Sequence, residues 1–151
     1  IDQWTCRFLV PRDTPEGNYF IEIIITDRDG SQERFSQPYT VDASAPDLEV
    51  RLLGDARRGE AVRVEAQQRF TEADRALHGP RRRARILSDV QRVRVEAESG
   101  ETMMLRQVRP GLWRGSWQVP EDAPESVSLR TTAYDMAGNR GEQTLDVDIT
   151  E

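Results

Sequence analysis

Residues 4 to 16 read Trp4-Thr-Cys-Arg-Phe-Leu-Val-Pro11-Arg-Asp-Thr-Pro15-Glu16, and residues 113 to 125 read Trp113-Arg-Gly-Ser-Trp-Gln-Val-Pro120-Glu-Asp-Ala-Pro124-Glu125. At an offset of 109 residues, Trp4 falls on Trp113, Phe8 on Trp117, Pro11 on Pro120 and Pro15 on Pro124. One residue then drops out, and at an offset of 108 Asp27 falls on Asp135, Gly30 on Gly138 and Val41 on Ile149. An ordered series of this kind marks a duplicated structural unit, and a duplicated unit limits the chain to folds assembled from copies of it.

Both copies follow one plan. A strand ends at Val-Pro, because proline has no N–H to give a ladder. A Pro-x-x-x-Pro-Glu turn leads into a long alternating strand, an Asp-x-x-Gly turn reverses the chain, and a last strand closes the unit. In the second copy Val127, Leu129, Thr131 and Ala133 share one face while Ser128, Arg130, Thr132 and Tyr134 share the other. Period two is the mark of a half-buried antiparallel strand. Leu145, Val147 and Ile149 repeat the pattern in the final strand, inward against Thr144, Asp146 and Asp148.

Between the copies lies Asp42-Ala-Ser-Ala-Pro46-Asp47, with the composition of a linker. Further alternating runs follow at Leu48–Leu52, Val62–Ala66, Val93–Ala97 and Met103–Leu105, ahead of a Pro110-Gly111 turn and the strand holding Trp113, Gly115, Trp117 and Val119. The spacing predicts seven strands between Leu48 and Ile149, the count of an immunoglobulin-like sandwich. One short helical turn is expected, over Thr71 to Leu77. The fold class is therefore all-β: residues 1–43 form the C-terminal part of a first Ig-like module, 44–47 a linker, and 48–151 a complete second module. Residues 1–43 match only the last three strands of the second copy. The chain thus reads as a fragment whose remaining strands lie in a preceding portion or come from a partner.

The strings Val119-Pro-Glu-Asp-Ala-Pro-Glu125 and Ala133-Tyr-Asp-Met-Ala-Gly-Asn139 resemble the C-terminal half of bacterial Ig-like domains. These domains stand in tandem on exported and cell-surface proteins, and behind von Willebrand factor A domains. The family's Gly after the Pro-rich turn is present as Gly17 and replaced by Ser126 in the second copy; its Asn after the later turn is Asn139, replaced by Ser31 in the first. The resemblance implies a spacer or binding module, exported to the periplasm or cell surface, with no cofactor and no catalytic residues. It also admits an accessory domain of a larger surface hydrolase or von Willebrand A-type protein whose working site lies elsewhere.

Composition narrows the chemistry further. One Cys and one His leave no internal disulfide, no thiolate zinc cage and at most one histidine-based catalytic group. All 21 basic residues are Arg, and the formal charge of −6 argues against a nucleic-acid partner. No apolar run reaches the roughly 18 to 20 residues of a membrane-spanning helix, so direct membrane insertion is not expected. His78 near Asp74, Ser88 and Asp89 lacks the Gly-x-Ser-x-Gly elbow of a triad. Glu121 and Asp122 sit in a turn with no apolar pocket to shift a carboxyl. The expectation is a non-enzymatic chain.

Four features carry the remaining candidates. Asp27, Asp29 and Glu33 space carboxylates ahead of and beyond Gly30 as a calcium loop does, but supply too few oxygens; a hairpin turn explains them better. Arg81, Arg82, Arg83 and Arg85 form a basic loop, either a site for an anionic polymer or a solvated run offset by Glu72, Asp74 and Asp89. Trp4, Trp113 and Trp117 read as core, with a ring over Gly115, rather than as carbohydrate platforms. In the first copy, Tyr19, Ile21, Ile23 and Ile25 take the inward positions, which leaves Phe20 and Ile24 outside where the second copy has Ser128 and Thr132. A strand apolar on both faces wants cover on both. The expected partner is another domain or chain of the same envelope assembly, with strand donation or a homo-oligomer as the means.

Overall fold

In the computed structural model, which describes residues 5–70, 72 and 89–151, the chain divides into two units, Ile1–Asp42 and Ala43–Glu151. The first holds two strands, β1 (Gly17–Thr26) and β2 (Gln32–Val41). They pair antiparallel without a break from Gly17↔Val41 to Thr26↔Gln32. The turn between them closes with Asp27 N donating to Ser31 O (2.8 Å) and Gly30 N donating to Asp27 O (2.9 Å). Gly30 has φ +86°, a conformation that only glycine adopts without a steric cost.

The second unit contains β3 (Asp47–Leu53), β4 (Ala56–Arg57), β5 (Ala61–Arg69), β6 (Val90–Ala97), β7 (Thr102–Arg109), β8 (Leu112–Gln118), β9 (Ser126–Asp135) and β10 (Arg140–Thr150). Their hydrogen-bonded order is β3-β5-β8-β7-β6-β9-β10-β4. The strand β7 changes partners midway: Thr102–Leu105 pair with β6, and Arg106–Arg109 pair with β8. One core draws on both halves of this order, from Val50, Val62, Val64, Trp113 and Trp117 to Val93, Val95, Val127, Leu129 and Val147. Trp113 and Trp117 are 2% and 1% exposed.

The two hairpins share one template. The β9–β10 ladder runs from Tyr134↔Arg140 through Ala133↔Gly141, the pairing of β1 and β2 moved along by 108 residues. Its turn closes in the same way, with Asp135 N on Asn139 O and Gly138 N on Asp135 O, both 3.2 Å, and Gly138 at φ +90°. The Pro-rich turns also correspond, Thr14 N donating to Pro11 O at 3.1 Å and Ala123 N to Pro120 O at 3.2 Å.

Three expectations need correction. Residues 5–10 form no strand and are exposed, whereas their counterpart lies largely in β8, a half-buried strand with Trp113 and Trp117 in the core. A strand exists only against a neighbour; β8 has β5 and β7 beside it, and the described part of the first unit has no equivalent of either. The first unit therefore shows two of the three strands expected. Among the described residues the second unit has eight strands rather than seven, because β4, lying parallel to the end of β10, is two residues long and too short to show a period. Residues 42–46 lie between β2 and β3 outside any strand, and Asp47 opens β3. Finally, the side chain over Gly115 is Leu105, not a tryptophan: a Cβ at position 115 would stand 2.5 Å from Leu105 Cδ2. Leu105 reaches that spot because β7 crosses from β6 to β8 there. The expected helical turn over Thr71–Leu77 lies outside the described residues, Glu72 excepted.

On the outer side of the second unit, cross-strand pairing aligns Arg51, Glu65 and Arg114. Glu65 is only 2% exposed. Its Oε1 accepts from Arg51 Nε (2.9 Å) and Nη2 (2.6 Å), and its Oε2 accepts from Arg114 Nε (2.7 Å). The bonds from Arg114 and then Arg51 hold its carboxyl below the usual glutamate range, against the opposing effect of burial. A depressed folded pKa gives stability that is present above the ordinary glutamate value of about 4.3 and is lost as pH falls through the folded value. Glu65→Gln is therefore expected to lower the urea midpoint of the second unit near pH 7, and the gap to the parent chain is expected to close as pH drops into the acid range. A gap that stays constant with pH would mean that the carboxylate charge contributes nothing.

Candidate functional site

The β1–β2 ribbon presents two faces. Register places Tyr19 beside Tyr39, Ile21 beside Gln37, Ile23 beside Phe35 and Ile25 beside Glu33 on one of them. At one end of that face the Tyr19 and Tyr39 rings stack with centroids 5.5 Å apart, and Phe8 meets Tyr39 edge-on at the same distance. Tyr19 Oη donates to Pro15 O at 2.7 Å, which ties the Pro-rich turn to the start of β1. The opposite face carries Phe20 beside Pro38, Glu22 beside Ser36 and Ile24 beside Arg34, with an Arg34–Glu22 ion pair at 3.2 Å.

Both faces are open. Phe20 is 71% exposed and Ile24 46%. The face expected to point inward is also uncovered at its far end, with Ile23 at 46%, Ile25 at 47% and Phe35 at 50% exposed. In the second unit the equivalent residues Val127, Leu129, Thr131 and Ala133 are buried, with Val50, Val64, Trp113 and Trp117 in the same core. Among the described residues of its unit, the ribbon has the inward face of such a layer without a second layer. Ile23, Ile25 and Phe35 thus join the candidate surface; the repeat carried the signal, since the first copy matches only the end of the unit.

The other candidates fall elsewhere. Asp27 and Asp29 are engaged in the hairpin turn: Asp29 Oδ1 accepts from Ser31 N at 2.9 Å, and Asp27 Oδ2 accepts from Ser31 Oγ at 3.4 Å. The bond from Ser31 N is the main reason the Asp29 carboxyl is held below its usual value. Glu33 stands on β2 opposite Ile25, outside that turn. Asp89 Oδ1 accepts from Gln68 Nε2 at 3.4 Å. Glu121 and Asp122 lie in the turn before β9 that Ala123 N and Pro120 O close. Arg81, Arg82, Arg83 and Arg85, together with Trp4, Asp74, His78 and Ser88, lie outside the described residues. Among the described residues no helix is long and apolar enough to cross a membrane.

No protein-family model matches the chain, and no curated protein sequence matches it. Solved structures do. One is the tetra-tandem repeat in the extending region of a large adhesion protein, at a TM-score of 0.53 and 15% identity over 89% of this chain and 32% of that one. Another is the endo-β-1,4-mannanase from Thermotoga petrophila, at a TM-score of 0.49 and 9% identity over 73% of this chain and 21% of that one. The chain spans well under two thirds of either protein. The first likeness is one of fold: a β-rich repeat domain.

If the ribbon is open in solution, the chain is expected to enhance the fluorescence of a dye that binds apolar surface. Ile23→Ser with Ile25→Ser should remove most of that signal while leaving the melting of the second unit unchanged. A chain that fails to enhance the dye would show the face to be covered.

Proposed function

We propose that the chain is a non-catalytic adhesion and spacer module of a bacterial surface protein, its second unit an immunoglobulin-like sandwich and its first unit a contact element. Strand order supports the sandwich reading: β3-β5-β8-β7 and β6-β9-β10 follow the two sheets of that fold, with β4 added parallel to β10. The fold likeness to a tandem repeat of an adhesion protein supports the role. The observation that carries the contact function is the ribbon itself, with Phe20, Ile23, Ile24, Ile25 and Phe35 all between 46% and 71% exposed on two strands. A lone two-stranded hairpin is marginal in water, so a ribbon this apolar serves to be covered by a partner in the same envelope assembly. Burying Phe20 and Ile24 alone is worth about 3 to 5 kcal/mol when both are fully covered.

Beads coated with the chain are expected to cluster or to bind envelope fragments. Beads carrying Phe20→Ser with Ile24→Thr should lose most of that attachment, with the second unit melting as before. Attachment indifferent to these substitutions contradicts the ribbon's role, and polysaccharide hydrolysis by the isolated chain contradicts the non-catalytic reading.

A further inference from the structure

The outer face of β3, β5, β8 and the second half of β7 has a charge unlike that of the chain as a whole. Register sets Arg51, Glu65, Arg114 and Arg106 in one row across four strands, a span of roughly 14 Å at the spacing of neighbouring strands. Arg63 stands two residues along β5 from Glu65 on the same face, between Leu53 and Ser116. Arg51, Arg63, Arg106 and Arg114 thus share this face with Glu65, and beside them Glu49 pairs with Arg69 at 3.2 Å, in a chain whose formal charge is −6.

Glu65 organises this cluster. Both its oxygens are taken by Arg51 Nε and Nη2 and by Arg114 Nε. Arg51 keeps Nη1, and Arg114 keeps both Nη groups, on side chains 62% and 46% exposed. Arg63 and Arg106 are exposed and form no ion pair among the described residues. On the outer face of β6, β9 and β10 the arginines have partners of their own: Arg94 and Arg130 pair with Glu96, Arg140 with Glu142, and Arg92 lies over the Tyr134 ring at 4.4 Å. The positive row is therefore not a general consequence of an arginine-rich surface.

The geometry points to a binding site for an acidic polysaccharide, a linear glycan bearing carboxylate or sulfate groups, lying across the strands. A guanidinium held by its Nε edge still presents a fork that matches a carboxylate or sulfate. The exposed neutral groups of Gln67 and Ser116 flank the row at the right level for sugar hydroxyls. The strands of this face direct no aromatic side chain outward, because Trp113 and Trp117 are buried. Single-stranded nucleic acids bind by stacking bases on aromatics, so this face favours a glycan over them. The site deepens the adhesion reading by naming a ligand class, and its residues belong to the second unit whereas the ribbon is in the first.

The test measures binding of the full chain to polygalacturonate, chondroitin sulfate, single-stranded DNA and dextran, at about 50 mM and about 500 mM salt. At least one acidic glycan is expected to bind at low salt, more tightly than DNA, with the two polymers separating carboxylate from sulfate preference. Arg63→Glu with Arg106→Glu should weaken that binding about tenfold or more at an unchanged melting temperature. Arg130→Glu with Arg140→Glu should leave it intact. No binding to either acidic glycan, tighter binding to DNA, or loss only on Arg82→Glu with Arg83→Glu overturns the proposal. Phe20→Ser with Ile24→Thr should not alter glycan binding, so failure of this site and failure of the ribbon's contact role register separately.

Discussion

A β-sheet with one apolar face is stable only when another layer excludes water from that face, and the whole molecule turns on where this condition is met. In the second unit β9 and β10 meet it: Val127, Leu129, Ala133 and Val147 are buried in one core with Val64, Trp113 and Trp117. In the first unit β1 and β2 share the same register and turn, and the corresponding face remains open. The same local code therefore gives a sealed layer in one place and an exposed one in the other.

Local features were legible because they depend on neighbours in sequence. The Asp-x-x-Gly turns, the alternation in β9 and β10 and the stops at Pro11 and Pro120 all follow from backbone chemistry within a few residues. What was not legible depends on neighbours in space. Residues 5–10 carry the pattern of β8 but lack strands to pair with. β4 is too short for any period, and the cover on Gly115 comes from Leu105 because β7 changes sheets beside it.

The candidate surfaces divide along the same line. Phe20 and Ile24 stood out against Ser128 and Thr132 in the repeat, whereas the exposure of Ile23, Ile25 and Phe35 follows only from the absence of a covering layer in the described residues. The arginine row was hidden for a different reason. Arg51, Arg63, Arg106 and Arg114 are scattered over 64 positions of sequence, and only strand pairing brings them together around Glu65. The basic run that does stand out in sequence, Arg81 to Arg85, lies outside the described residues.

Amide hydrogen exchange on the intact chain tests the central claim most directly, since it compares two hairpins of identical register within one molecule. Strong protection is expected along β9 and β10, with exchange orders of magnitude faster at the matching amides of β1 and β2, from Tyr19 to Ile25. Equal protection in the two hairpins would contradict it, because the first ribbon would then already have the layer that the second unit supplies to its own.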